Sequence, residues 1–66
     1  MSLAGKVWNT LSVIDRLSLL ASARRGGSSG ILEHEAKLQW DKLLPSTQLD
    51  LLAVDWSVIL GRDVTP

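Results

Sequence analysis

Arg24-Arg25-Gly26-Gly27-Ser28-Ser29-Gly30 interrupts a chain that is otherwise rich in leucine and helix-forming residues. Glycine and serine carry no side chain large enough to pack, and runs of them act as flexible connectors. Residues 26–30 are therefore expected to form a linker. The charges divide at the same place. Residues 1–25 hold Lys6, Arg16, Arg24 and Arg25 against Asp15 alone, a net charge of +3. Residues 26–66 hold Lys37, Lys42 and Arg62 against Glu33, Glu35, Asp41, Asp50, Asp55 and Asp63, a net charge of −3. The zero net charge of the whole chain thus conceals two complementary parts. The expected organisation is a basic amphipathic helix over 1–25, the linker, and an acidic helical hairpin over 31–66, joined in one compact unit. The linker has a composition also chosen by design to connect chains, so a single-chain fusion of two docking segments stands as an open reading of it.

Upstream of the break, the spacing predicts one long helix from Ser2, a suitable N-cap, to Ala23. Leu3, Val7, Leu11, Ile14 and Ala21 form a stripe at helical period, flanked by Trp8 and Leu17. Arg24 and Arg25 suit the negative end of the dipole, and Gly26 suits the stop. Downstream, a second helix is expected from Ile31 to Leu44, with Leu32, Ala36, Trp40 and Leu43 as its stripe. Glu33 and Glu35 favour its positive end, and Pro45 closes it because the ring disfavours helical geometry in the residue before it. A third helix is expected from Thr47 to Leu60, capped by Ser46 and stopped by Gly61. The Leu44-Pro45-Ser46 joint would fold these two into an antiparallel hairpin. The predicted fold is all-α, a small bundle of one long N-terminal helix plus a helical hairpin. Leu32, Trp40, Leu49, Leu52 and Trp56 are its expected core.

A chain of 66 residues buries only about 60% of its unfolded surface, so its core is thin. It has no cysteine, which leaves a partner subunit as the natural supplement. Each predicted helix also carries a second apolar stripe: Val13, Leu17 and Leu20; Ile31 and Leu38; Leu51, Val54 and Val58. Scattered surface aliphatics are ordinary, but their presence on all three helices points to an interaction surface. The expected interface comprises Trp8, Val13, Leu17, Leu20, Leu51, Val54 and Val58, with Arg16, Arg24 and Arg25 steering by charge. The expected partner is a second copy, forming a homodimer, or a partner helix.

Several chemistries find no support. His34 is the only histidine, and Glu33, His34 and Glu35 diverge by about 100° per residue on a helix, so they do not chelate one metal. No Gly-x-Ser-x-Gly elbow occurs, and a serine nucleophile needs a base held by a third group. The Gly26–Gly30 run lacks the Gly-Lys-Ser/Thr of a phosphate loop. No cofactor, metal, small-molecule substrate or enzymatic activity is therefore expected. No apolar run approaches the roughly 18 residues that span a membrane, and Asn9, Thr10, Ser12, Asp15 and Arg16 interrupt any signal-peptide core. A cytoplasmic location is expected. Nucleic-acid binding is disfavoured by the zero net charge and by a third segment without lysine or arginine before Arg62.

These readings converge on protein–protein association, in a docking or adaptor module steered by charge and held by apolar stripes. The arrangement resembles the short helical docking elements at the ends of modular polyketide and peptide synthase subunits, a resemblance of architecture, which implies subunit matching by small helix bundles and complementary charge. The alternative is a small transcriptional regulator or phage-type accessory protein that binds DNA or a repressor.

Overall fold

Helix-forming sequence becomes helix in short pieces. The computed structural model describes residues 3–24 and 29–64. Five α-helices and one 3-10 turn fill most of them: α1 (Leu3–Thr10), α2 (Val13–Ala23), α3 (Ser29–Ala36), the 3-10 turn Trp40–Lys42, α4 (Pro45–Leu52) and α5 (Trp56–Leu60). Among the described residues there is no strand, in accord with the all-α expectation. Residues 26–28 of the expected linker lie outside the described residues, whereas Ser29 and Gly30 open α3.

The long N-terminal helix is not formed. It breaks at Leu11 and Ser12, where Ser12 turns extended (ψ 162°) and its hydroxyl accepts from the Asp15 amide at 3.2 Å. Ser-x-x-Asp is a helix-start signal, and here it prevails over continuation of the stripe. The second expected helix stops early, at Ala36, with Leu38 N donating to Glu35 O at 3.1 Å in a tightened last turn. The third divides at Asp55, whose carboxylate caps α5 by accepting from the amides of Ser57 (3.1 Å) and Val58 (3.3 Å). Pro45 begins α4 instead of merely ending its predecessor, since its fixed φ and missing N–H suit the first helical position. Ser46 consequently lies inside the first turn and Leu44 occupies the cap. Gly61 ends α5 in the left-handed conformation (φ 70°), as a C-terminal stop requires.

The pieces do not make a long helix against a hairpin. Helix α2 is the hub, packing on α3, α4 and α5, while α1 lies along the 3-10 turn. The described chain measures 27 × 24 × 20 Å with a radius of gyration of 10.5 Å, close to the ~11 Å of a folded chain this long. At its centre Trp8, Trp40 and Trp56 meet in pairs, ring centroids 6.0–6.3 Å apart and planes inclined near 60°, the edge-on geometry that aromatic quadrupoles favour. Leu19, Leu20, Leu43 and Leu51 close around them, with Ala4, Leu32 and Ala36.

Packing corrects several expectations. Leu32, Trp40 and Trp56 are buried, but Leu49 and Leu52 stand 68% and 54% exposed. Trp8, Leu20 and Leu51, expected at an interface, are wholly buried in the chain's own core. The reason is geometric. Each break re-aims the following helix, so a single continuous periodicity cannot assign the inward face on both sides of it.

Candidate association surface

The described polar side chains of the interior all have hydrogen-bond partners, many of them backbone groups. Arg16, expected to face a partner, is buried where two helices end. Its Nε donates to the Trp8 carbonyl at 2.9 Å, its Nη2 to Asn9 O at 3.1 Å, and its Nη1 to Ala36 O at 3.1 Å. The last carbonyls of a helix have no intrahelical partner and carry its negative partial charge. One planar guanidinium thus caps the C-terminal ends of both α1 and α3 while lying over the Trp8 ring. Trp8 Nε1 donates to Leu38 O at 2.9 Å, and Trp56 Nε1 to Leu51 O at 2.7 Å. Asn9 Oδ1 accepts from the Trp40 amide at 3.0 Å, tying α1 to the start of the 3-10 turn.

A second network joins the two oppositely charged parts of the sequence. Arg24 Nη1 donates to both Glu35 oxygens at 2.8 Å and to Thr47 Oγ1 at 3.1 Å, and the Thr47 hydroxyl donates to Glu35 Oε2 at 3.1 Å. Asp50 lies 4.0 Å from Arg24 Nε. Glu35 and Thr47 are buried, while the Arg24 side chain is one-third exposed. This network locks the end of α2 to α3 and α4. A third link runs between Asp15 in α2 and Arg62 just past α5, and its hydrogen bond holds the Asp15 carboxyl below the usual carboxylate range. Arg24–Glu35 and Asp15–Arg62 both connect residues from opposite sides of the glycine-serine break, so that complementarity operates within one chain.

Apolar side chains are left outward. Leu3, Val13, Ile14, Leu44, Leu49, Leu52 and Val58 are each more than a third exposed. Of the residues expected at an interface, Val13 and Val58 are therefore exposed, Leu17 and Val54 are half-buried against the core, and Arg25 lies outside the described residues. Ile14 and Leu44 were not among the expected interface residues. Ile14 fell on the stripe of a helix that is in fact broken two residues earlier. Leu44 lies just before Pro45, where the extended geometry imposed on a residue preceding proline turns the chain.

A groove of about 350 Å³ opens beside α3, lined by Arg24, His34, Glu35, Leu38, Lys42, Leu43 and Leu44. Among the described residues, no three His, Cys, Asp or Glu side chains converge to hold a metal ion, and no helix is long and apolar enough to cross a membrane. No protein-family model, curated protein or solved structure matches the chain.

Proposed function

We propose that this chain is a non-enzymatic association module that docks through its exposed aliphatic side chains onto a second copy of itself or onto a partner helix. One observation carries the reading. Among the described residues, seven large aliphatic side chains stay exposed on a domain that already encloses three tryptophans and leaves no buried side-chain nitrogen or oxygen unpartnered. At about 25 cal/mol per Å², covering even four of them yields several kcal/mol. That rivals the roughly 3–10 kcal/mol expected of a folded chain of this size.

Charge plays a smaller part in docking than the sequence suggests, because Arg16, Arg24, Glu35 and Asp15 are engaged internally. The non-enzymatic reading draws on the groove, whose lining sets His34 beside leucines without a serine, threonine or cysteine to activate.

Sedimentation equilibrium over a wide concentration range tests the proposal, with Leu49→Glu and Val58→Glu as variants. Both positions are exposed, so the fold should persist by circular dichroism. Self-association, or binding of a hydrophobic dye, should be present in the unaltered chain and diminished in the variants. A monomer at millimolar concentration that binds no dye would remove the basis for the reading.

A further inference from the structure

The groove beside α3 combines an apolar floor with a positive excess. Leu43 is buried and Leu38 half-buried, while Leu44, 66% exposed, extends the floor out to the surface. Four charged or titratable side chains complete the lining. Arg24 and Glu35 satisfy each other. Lys42 and His34 make no ion pair among the described residues. Glu33 and Asp41, two of the three acids next to them in sequence, belong to other surfaces. Glu33 is ion-paired with Lys37 at 3.8 Å, and Asp41 is absent from the lining, as expected where successive residues of a 3-10 turn diverge by about 120°.

We propose that this groove receives an aliphatic side chain from an acidic segment of a partner protein, with an adjacent carboxylate held by Lys42 and His34. The inference rests on the association reading above and specifies one of its contacts. The leucine floor supplies the desolvated pocket that an interface anchor needs. The Lys42 ammonium and a ring N–H of His34 select for a carboxylate beside that anchor. The open end at Leu44 suits a segment that continues across the surface, in preference to a small molecule enclosed on all sides.

The test is an NMR titration of the full chain with a blocked hexapeptide of alternating glutamate and leucine. Matched peptides of lysine and leucine and of glutamate and serine serve as controls, and octanoate serves as a free aliphatic carboxylate. The expected result is a set of amide shifts at His34, Leu38, Lys42, Leu43 and Leu44 with the glutamate–leucine peptide alone. Lys42→Glu should weaken that binding about fivefold, the size of an exposed ion pair, and Leu44→Ser should weaken it without altering the fold. Equal binding of the lysine peptide overturns the charge assignment. Octanoate binding as tightly as the peptide overturns the protein source. No shift at millimolar peptide removes the groove as a site, yet loss of self-association in Val58→Glu would leave the broader reading standing. Conversely, groove binding by a chain that never associates or binds dye would retain the site and discard the aliphatic surface.

Discussion

The guanidinium of Arg16 donates to the carbonyl of Trp8 at 2.9 Å and lies 5.4 Å above the centroid of the same residue's ring. One side chain therefore closes the end of α1 and covers a face of the tryptophan cluster. Two further carbonyls, of Asn9 and Ala36, complete its shell.

Replacing Arg16 with methionine should keep the stem's volume and remove all three of its hydrogen bonds, although the Trp8 carbonyl keeps the Leu11 amide at 3.1 Å. Hydrogen bonds from a charged group contribute roughly 1.5–3 kcal/mol each, without simple additivity, so a loss of about 3 kcal/mol is expected. Arg16→Lys should recover little of it, because an ammonium lacks the planar fork. Urea denaturation followed by circular dichroism reads both variants, and a change below about 1 kcal/mol would contradict the capping role.

Glu35→Gln should destabilise the chain by about 2 kcal/mol, below the roughly 3–5 kcal/mol of a fully buried pair because the Arg24 side chain is one-third exposed. Thr47→Val should cost about 1 kcal/mol, removing a hydroxyl that bridges both charges. In a double-mutant cycle the two should be coupled, since they share one network. Strict additivity would show that Thr47 acts by packing alone.

Acid should weaken the junction of α2 and α5. The hydrogen bond from Arg62 lowers the Asp15 carboxyl in the folded chain relative to an unfolded value of about 3.9. The unfolded chain then takes up the proton first. The contribution is present above about pH 4 and is lost as pH falls through the depressed folded value. The raised Arg62 guanidinium adds nothing to that acid limb, since it stays protonated there. Asp15→Asn should flatten this part of the stability profile below pH 4 in thermal melts; an unchanged acid limb would exclude the link as its source.

Residues 1–25 and 26–66, prepared as separate polypeptides, should reassociate. The first contributes Ala4, Trp8, Leu19 and Leu20 to the core, and the second contributes Leu32, Ala36, Trp40, Leu43, Leu51 and Trp56. Tryptophan fluorescence on mixing should report recovery of the cluster. Affinity should fall modestly with salt, because Arg24–Glu35 and Asp15–Arg62 cross the divide while most of the joint surface is apolar. Two fragments that remain unfolded after mixing would show that the connection itself is needed.

Helical character was legible residue by residue, and so were its end signals. Gly61 is a stop because its position needs a left-handed backbone that side chains resist. Ser12 with Asp15, and Asp55, were also readable as starts, but each lay within a stripe that invited a longer helix. The apparent second stripes had the same origin. Leu20 and Leu51 looked surplus on uninterrupted helices and are core residues on re-aimed ones, whereas Leu49 and Leu52 show the reverse exchange. The groove had no signature in sequence, since Arg24, His34 and Leu44 come together only when α2 meets α3 and the chain turns before Pro45.

By itself, the sequence determined an all-helical chain with opposite charges on either side of a glycine-serine break. These properties follow from composition and from contacts within a few residues. Only the tertiary structure decided which of two apolar faces turned inward, that Arg16 would cap two helices at once, and that the opposite charges would meet inside one molecule. Those outcomes depend on the angles at which α1, α3, α4 and α5 settle on α2, and such angles are set by packing between residues far apart in the chain.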